Sequence, residues 1–200
     1  MGQSSLVKEI DHVHMKVAFL YAELSKAKRL KVGAIIVKND RIISIGYNGT
    51  PAGWDNECEK EVSVEENCIL DYGDPPYKIE NVQLITKPEV IHAEANAIGK
   101  LARSNESGLD SVMYITHSPC FECAKLIHVA GINKVFYRNQ YRNLEGINFL
   151  IKCKIEVKKL NVYLSSNYKN IIDGENKNLV KEGHEKNKKI LAQRGEINKE

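Results

Sequence analysis

The sequence predicts an α/β fold with a mixed central sheet packed between helices, and three observations carry that prediction. "VGAIIVKNDRIISIGYN" (32–48) contains two β-branched runs joined by the turn residues Asn39 and Asp40, the pattern of an antiparallel hairpin. "SVMYITH", "PCFECAKLIHVAG" and "NKVFYR" follow one another as strand, helix and strand, a unit whose two strands run parallel. Between these stretches lie segments with apolar residues at steps of three and four, as helices that cover a sheet require.

The elements follow in chain order. From Ser5 to about Lys28, the residues Leu6, Val7, Ile10, Val13, Val17, Leu20, Tyr21 and Leu24 recur as on one helical face. The hairpin comes next, then a loop, "GYNGTPAG", marked by its glycines, Asn48 and Pro51. From Trp54 to about Val90 the periodicity fades and Asp74-Pro75-Pro76 interrupts regular structure, so this stretch reads as an insertion without assignable elements. His92 to about Arg103 is helical, with Ala95, Ile98, Leu101 and Ala102 at helical spacing. The β-α-β unit has Pro119 at the first helical position and Gly131 past the helix end. Glu145 to Cys153 forms a further helix and Ile155 to Leu160 a last strand. The expected organisation is one domain over 1–172, with the insertion at about 54–90, and a charged tail over 173–200, helical or disordered.

With 200 residues and 42% hydrophobic composition, the chain suffices for one core. Its 29 basic and 26 acidic residues give a net charge of +3, which argues against broad nucleic-acid or membrane binding and leaves a small anionic substrate open. "MGQSSLVKEIDH" lacks the apolar run of a signal peptide, and no stretch has the length and apolarity of a membrane span, so a cytoplasmic protein is expected. Five cysteines, an odd number without a secretory signal, favour metal or redox chemistry over disulfides.

Cys120 and Cys123 stand three apart at a helix start, where the dipole favours thiolates. Alone, such a pair is equally a redox couple or half of a structural zinc site. His92 adds a nitrogen ligand, and three protein ligands with an open fourth position are the arrangement of catalytic zinc. A lone His at a helix start is an ordinary cap or surface residue, and a lone Glu94 simply complements the helix dipole. Beside zinc with an open position, Glu94 becomes a proton carrier.

His92-Ala93-Glu94 followed by Pro119-Cys120-x-x-Cys123 resembles the signature of the zinc-dependent nucleoside and nucleotide deaminases. With "GYNGTPAG" and "HAEANAI", the chain is most similar to the deoxycytidylate (dCMP) deaminase family, phage-type members included, over roughly Lys31 to Leu160. The resemblance thins in the insertion and is absent from the tail. It implies a three-layer α/β/α cytidine deaminase-like fold with a mixed five-stranded sheet. It also implies Zn2+ held by His92, Cys120 and Cys123, and hydrolysis of dCMP to dUMP and ammonia, feeding thymidylate synthesis, with Glu94 protonating N3 and then the departing amine.

The resemblance further implies that the Ala93 backbone meets the pyrimidine edge and Asn48 the sugar. Ser118, Tyr141 and Arg142 are candidates for the 5′-phosphate, although Tyr141 also suits packing and Arg142 a solvated loop. Family members bind effectors through the motif matched by Gly46, Tyr47, Asn48 and Gly49, dCTP with Mg2+ activating and dTTP inhibiting a homohexamer. Arg29 and Lys31 could hold the effector triphosphate or form a solvated basic cluster. Cys58 and Cys68 read as free cysteines and Cys153 as a packing residue. Competing readings are another cytosine or adenine deaminase, nucleoside- or tRNA-directed; a non-catalytic zinc module completed by Cys58 or Cys68; and a redox Cys-x-x-Cys protein. A tRNA enzyme would show a basic face and an Asn-Arg-Pro loop where this chain has Asn48-Gly49-Thr50-Pro51.

Overall fold

The computed structural model describes residues 7–66, 79–141 and 143–162; the expected charged tail, Cys68 and Arg142 lie outside them. The sheet is built from β1 (Gly33–Lys38), β2 (Arg41–Tyr47), β5 (Val112–His117), β6 (Lys134–Asn139) and β7 (Glu156–Lys159), in the order β2-β1-β5-β6-β7. β1 pairs antiparallel with both β2 and β5, whereas β5, β6 and β7 run parallel. This is the expected mixed five-stranded sheet. Asn39 and Asp40 have φ of 51° and 57°, so the two-residue β1–β2 turn takes the left-handed conformation that matches strand twist.

Helices cover both faces. α2 (Ala93–Leu101), α3 (Phe121–Val129) and α4 (Glu145–Lys152) share one side, where Ala97, Leu101, Ala124, Ile127 and Leu150 bury against Ile36, Met113, Ile115 and Val135. α1 (Glu9–Ala22) covers the other, packing Met15, Ala18 and Phe19 on Ile35, Tyr114 and Phe136. Each such fully buried large side chain contributes roughly 1.5–3 kcal/mol, so burial on both faces anchors the central strands.

Two expectations need correction. The face of α1 read as buried is largely outside: Val13 is 50% and Leu20 46% exposed, and Leu24 just beyond the helix is 52% exposed. The opposite face wins because Ala18 and Ala22 allow the backbone to close onto Gly33, where an added Cβ would lie 2.0 Å from the Ala18 carbonyl oxygen. That face also carries Asp11, whose carboxylate accepts the Tyr114 hydroxyl at 2.6 Å, so its polar group is satisfied on burial.

The insertion, read as lacking regular elements, contains β3 (Glu59–Glu66) and β4 (Ile79–Thr86), a separate antiparallel pair. β3 alternates only over Glu61-Val62-Ser63-Val64-Glu65, and β4 only over Asn81-Val82-Gln83-Leu84 before Ile85 breaks the pattern. Alternation this short, flanked by charged residues on β3 and separated by Asp74-Pro75-Pro76, is easily passed over in the sequence. Among the described residues no helix is long and apolar enough to cross a membrane.

Candidate active site

Strand ends and helix starts converge at one edge of the sheet. The carboxyl ends of β5, β6 and β7 point there, as do the N-termini of α2 and α3, and crevices at the carboxyl ends of parallel strands are where α/β folds bind ligands. A cavity of about 560 Å³ lies at this edge, within the range of small-molecule sites.

His92 is the N-cap of α2 and Cys120 the N-cap of α3, its sulfur accepting the Cys123 N–H at 3.5 Å. Pro119 thus precedes the cap instead of opening the helix, because the sulfur takes the capping position. Gly131, at φ 76°, ends the connection as expected. Gly146 lets α4 close over this turn, since a Cβ there would lie 2.2 Å from the Pro119 carbonyl oxygen. On the α2 side, the backbones of Gly49 and Ile91 exchange hydrogen bonds of 3.2 and 2.9 Å, fixing the residue before His92.

These caps bring the predicted ligands together. His92 Nδ1 lies 3.6 Å from Cys120 Sγ and 3.4 Å from Cys123 Sγ, and all three donor atoms fall within 4.8 Å of one another. Tetrahedral zinc, with bonds of about 2.0 Å to nitrogen and 2.3 Å to sulfur, sets nitrogen–sulfur separations of about 3.5 Å. The donor set therefore fits zinc. Hydrogen bonds from the Cys123 thiol and His92 draw the Cys120 thiol down to about 4. Cys123, as the donor to Cys120 and a buried group, is raised.

Glu94 occupies the first turn of α2 and is 4% exposed. Burial pushes its carboxyl up to about 7, partly offset by hydrogen bonds to its own backbone and to Cys123. A carboxyl so tuned both accepts and releases a proton near neutral pH.

Residues 8–139 match the family model of the cytidine and deoxycytidylate deaminase zinc-binding region. The chain belongs to that family. The deoxycytidylate deaminase of Enterobacteria phage T4 is 35% identical over 162 residues, covering 69% of this chain and 82% of the relative. The human deoxycytidylate deaminase is 36% identical over 143 residues, 68% and 71% of the respective chains. A crystal structure of dCMP deaminase from the cyanophage S-TIM5, in complex with dCMP and dUMP, superposes with a TM-score of 0.63 at 41% identity, covering 78% of this chain and 100% of that one.

Ala93 and Ser118 line the cavity beside His92 and Cys120, and the Ser118 hydroxyl accepts the Tyr141 N–H at 2.8 Å, bringing Tyr141 to the wall. Asn48 also lines it, but its amide is engaged with the chain itself: Oδ1 accepts the Val32 N–H at 2.8 Å and Nδ2 donates to the Leu30 carbonyl at 2.9 Å. Tyr47, Asn48 and Gly49 line a second cavity of about 330 Å³ with Lys26, Trp54, Asn96 and Lys100. Lys100 Nζ sits 5.4 Å from the Tyr47 ring centroid. Gly46 lies on neither wall; a Cβ there would meet the Ala93 carbonyl oxygen at 2.1 Å, so this glycine lets β2 approach the first turn of α2. Lys31 is likewise on neither wall, whereas Arg29 lines the cavity of His92, Glu94 and Cys120.

Sequence reasoning missed His117, Asn139, Gln140, Lys159, Glu59 and Thr86, all on the wall of the larger cavity. The first four were discoverable as residues at the ends of parallel strands. His117 is buried, which pushes its imidazole down to about 4; Nδ1 lies 3.1 Å from Thr116 Oγ1 and Nε2 3.4 Å from Asn139 Nδ2. Since an amide nitrogen only donates, Nε2 accepts and Nδ1–H donates to Thr116. Cys58 is outside the metal cluster, buried with Ala27 and Val90, so it does not complete a fourth coordination position.

Proposed function

We propose that the protein hydrolyses dCMP to dUMP and ammonia, acting on the free nucleotide in the cytoplasm and so feeding thymidylate synthesis. The observation that carries this reading is the buried Glu94 carboxyl beside the clustered His92, Cys120 and Cys123 donors, with Glu94, His92 and Cys120 on the wall of one cavity. The phage and human relatives named deoxycytidylate deaminase and the dCMP- and dUMP-bound cyanophage structure support the substrate.

His92, Cys120 and Cys123 would hold zinc, which when bound supplies water activation at neutral pH. Glu94 takes the proton released as water adds to C4 of cytosine and delivers it to N3. It then carries the proton of the new C4 hydroxyl to the exocyclic nitrogen as the C4–N bond breaks and the C4 carbonyl forms, leaving dUMP and ammonia. The Ala93 backbone is assigned to the pyrimidine edge, Asn48 to the sugar, and Ser118, Tyr141 and Arg142 to the phosphate. The engaged Asn48 amide keeps one N–H and one lone pair for that contact.

The smaller cavity is assigned to the nucleotide effector, dCTP with Mg2+ activating and dTTP inhibiting. Tyr47 and Trp54 bring aromatic side chains to its wall, and Lys26 and Lys100 positive charge. Asn96 links it to α2 by donating to the Tyr47 carbonyl at 2.9 Å. A homohexamer accords with the exposed apolar stripe of Val13 and Leu20 on α1. Ammonia release is measured from dCMP, deoxycytidine, cytosine and a tRNA stem-loop, with and without dCTP plus Mg2+. Turnover centred on dCMP and stimulated by dCTP is expected; a zinc-loaded protein inactive on dCMP contradicts the substrate assignment.

A further inference from the structure

The β3–β4 hairpin is tied to the chain that enters β1. The Glu59 carboxylate accepts the backbone N–H groups of Lys28 and Arg29, each at 3.1 Å, and Thr86 Oγ1 accepts Arg29 Nη1 at 3.0 Å. At the base of the hairpin, Cys58 is buried against Ala27 and Val90, and its carbonyl accepts the Lys87 N–H at 2.9 Å. These contacts fix both the backbone and the guanidinium of Arg29 on the wall of the cavity that contains His92 and Glu94. Lys159, at the end of β7, brings a second cation to the same wall from another element.

Of the guanidinium's five N–H donors, one serves Thr86. The remaining donors match the geometry with which arginine forks onto phosphate oxygens. A neutral pyrimidine and sugar have no need of two cations, whereas a phosphomonoester does. Glu59, although anionic, is occupied by two backbone donors and acts on the chain, not on the ligand.

We infer that Arg29, with Lys159, binds the 5′-phosphate of the substrate, and that Glu59 and Thr86 are positioning residues through which the inserted hairpin sets Arg29. This rests on the nucleoside-monophosphate reading above and gives the insertion a role in substrate selection. Ser118 and Tyr141 belong to the strand ends and Arg29 to the β1 side, so the phosphate is held from two directions.

The test compares kcat/KM for dCMP and for deoxycytidine in the zinc-loaded full-length protein and in Arg29→Gln, Thr86→Val and Thr86→Ser. Zinc content and thermal midpoint serve as checks on folding. The expected result is that Arg29→Gln lowers the dCMP-to-deoxycytidine preference at least ~10-fold, the scale of a lost charge-assisted hydrogen bond, mainly through KM. Thr86→Val raises KM for dCMP with kcat retained, and Thr86→Ser, which keeps the hydroxyl, restores it. Should the native protein strongly prefer dCMP while Arg29→Gln keeps that preference, the anchor is wrong and the dCMP reading stands. Should the native protein show no preference for dCMP, both fail. Equal KM values for Thr86→Val and Thr86→Ser would overturn the positioning role.

Discussion

Cys123 Sγ lies 3.4 Å from His92 Nδ1 across a sequence separation of 31 residues. The two side chains meet because α2 and α3 begin at the same sheet edge, α2 on a strand-side bridge at Ile91 and α3 directly after β5. Cys120→Ser removes one member of this donor set. Metal content is expected to fall by at least ~10-fold at limiting zinc, and activity with it, checked by elemental analysis after dialysis against a weak chelator. Stripping zinc from the native protein with a strong chelator should abolish turnover, and zinc should restore it.

Gly46→Ala places a methyl carbon 2.1 Å from the Ala93 carbonyl oxygen and 2.6 Å from the Ala97 nitrogen. Backbone on both sides leaves it nowhere to go, so α2 must shift. Overpacking of this kind costs about 1–3 kcal/mol. The expected outcome is a lower melting temperature together with lost activity, because the shifting turn carries His92 and Glu94; scanning calorimetry and an ammonia assay check both.

His117 is neutral in the folded protein because burial pushes its imidazole down to about 4 from an ordinary value near 6.5. Folding therefore favours the unprotonated ring. That contribution is fully present above about pH 6.5 and is lost as pH falls towards 4, amounting to about 3 kcal/mol at most. Urea denaturation of metal-stripped native protein and His117→Gln at pH 7 and 4.5 is the check. The native protein should lose more stability than the variant over this interval; parallel losses would remove His117 as the cause.

Much of the sheet was legible because its signals are local. The turn at Asn39 and Asp40, the β-branched runs beside it, and the strand–helix–strand run through Cys120 each announce themselves within a few residues. The meeting of His92 with Cys120 and Cys123 was legible because the Cys-x-x-Cys spacing leaves one nitrogen donor to find and His92 at a helix start supplies it. The face of α1 was not, since Val13 and Leu20 are more apolar than the Asp11 and His14 positions that are buried instead. Close approach of Ala18 to Gly33 decided that contest, and it is a tertiary property. Arg29 was visible as a cation, but its place beside His92 depends on Glu59, about 30 residues away along the chain.

In the proposed reaction Glu94 moves the protons, while His92, Cys120 and Cys123 would hold the metal. Glu94→Ala and Glu94→Gln, purified with zinc and assayed on dCMP beside the native protein, test this division of roles most directly. Near-native zinc content with turnover lowered by about 10²–10⁴-fold or more is the predicted result, the scale of lost general acid–base catalysis. A zinc-loaded variant that deaminates dCMP at close to the native rate would contradict it.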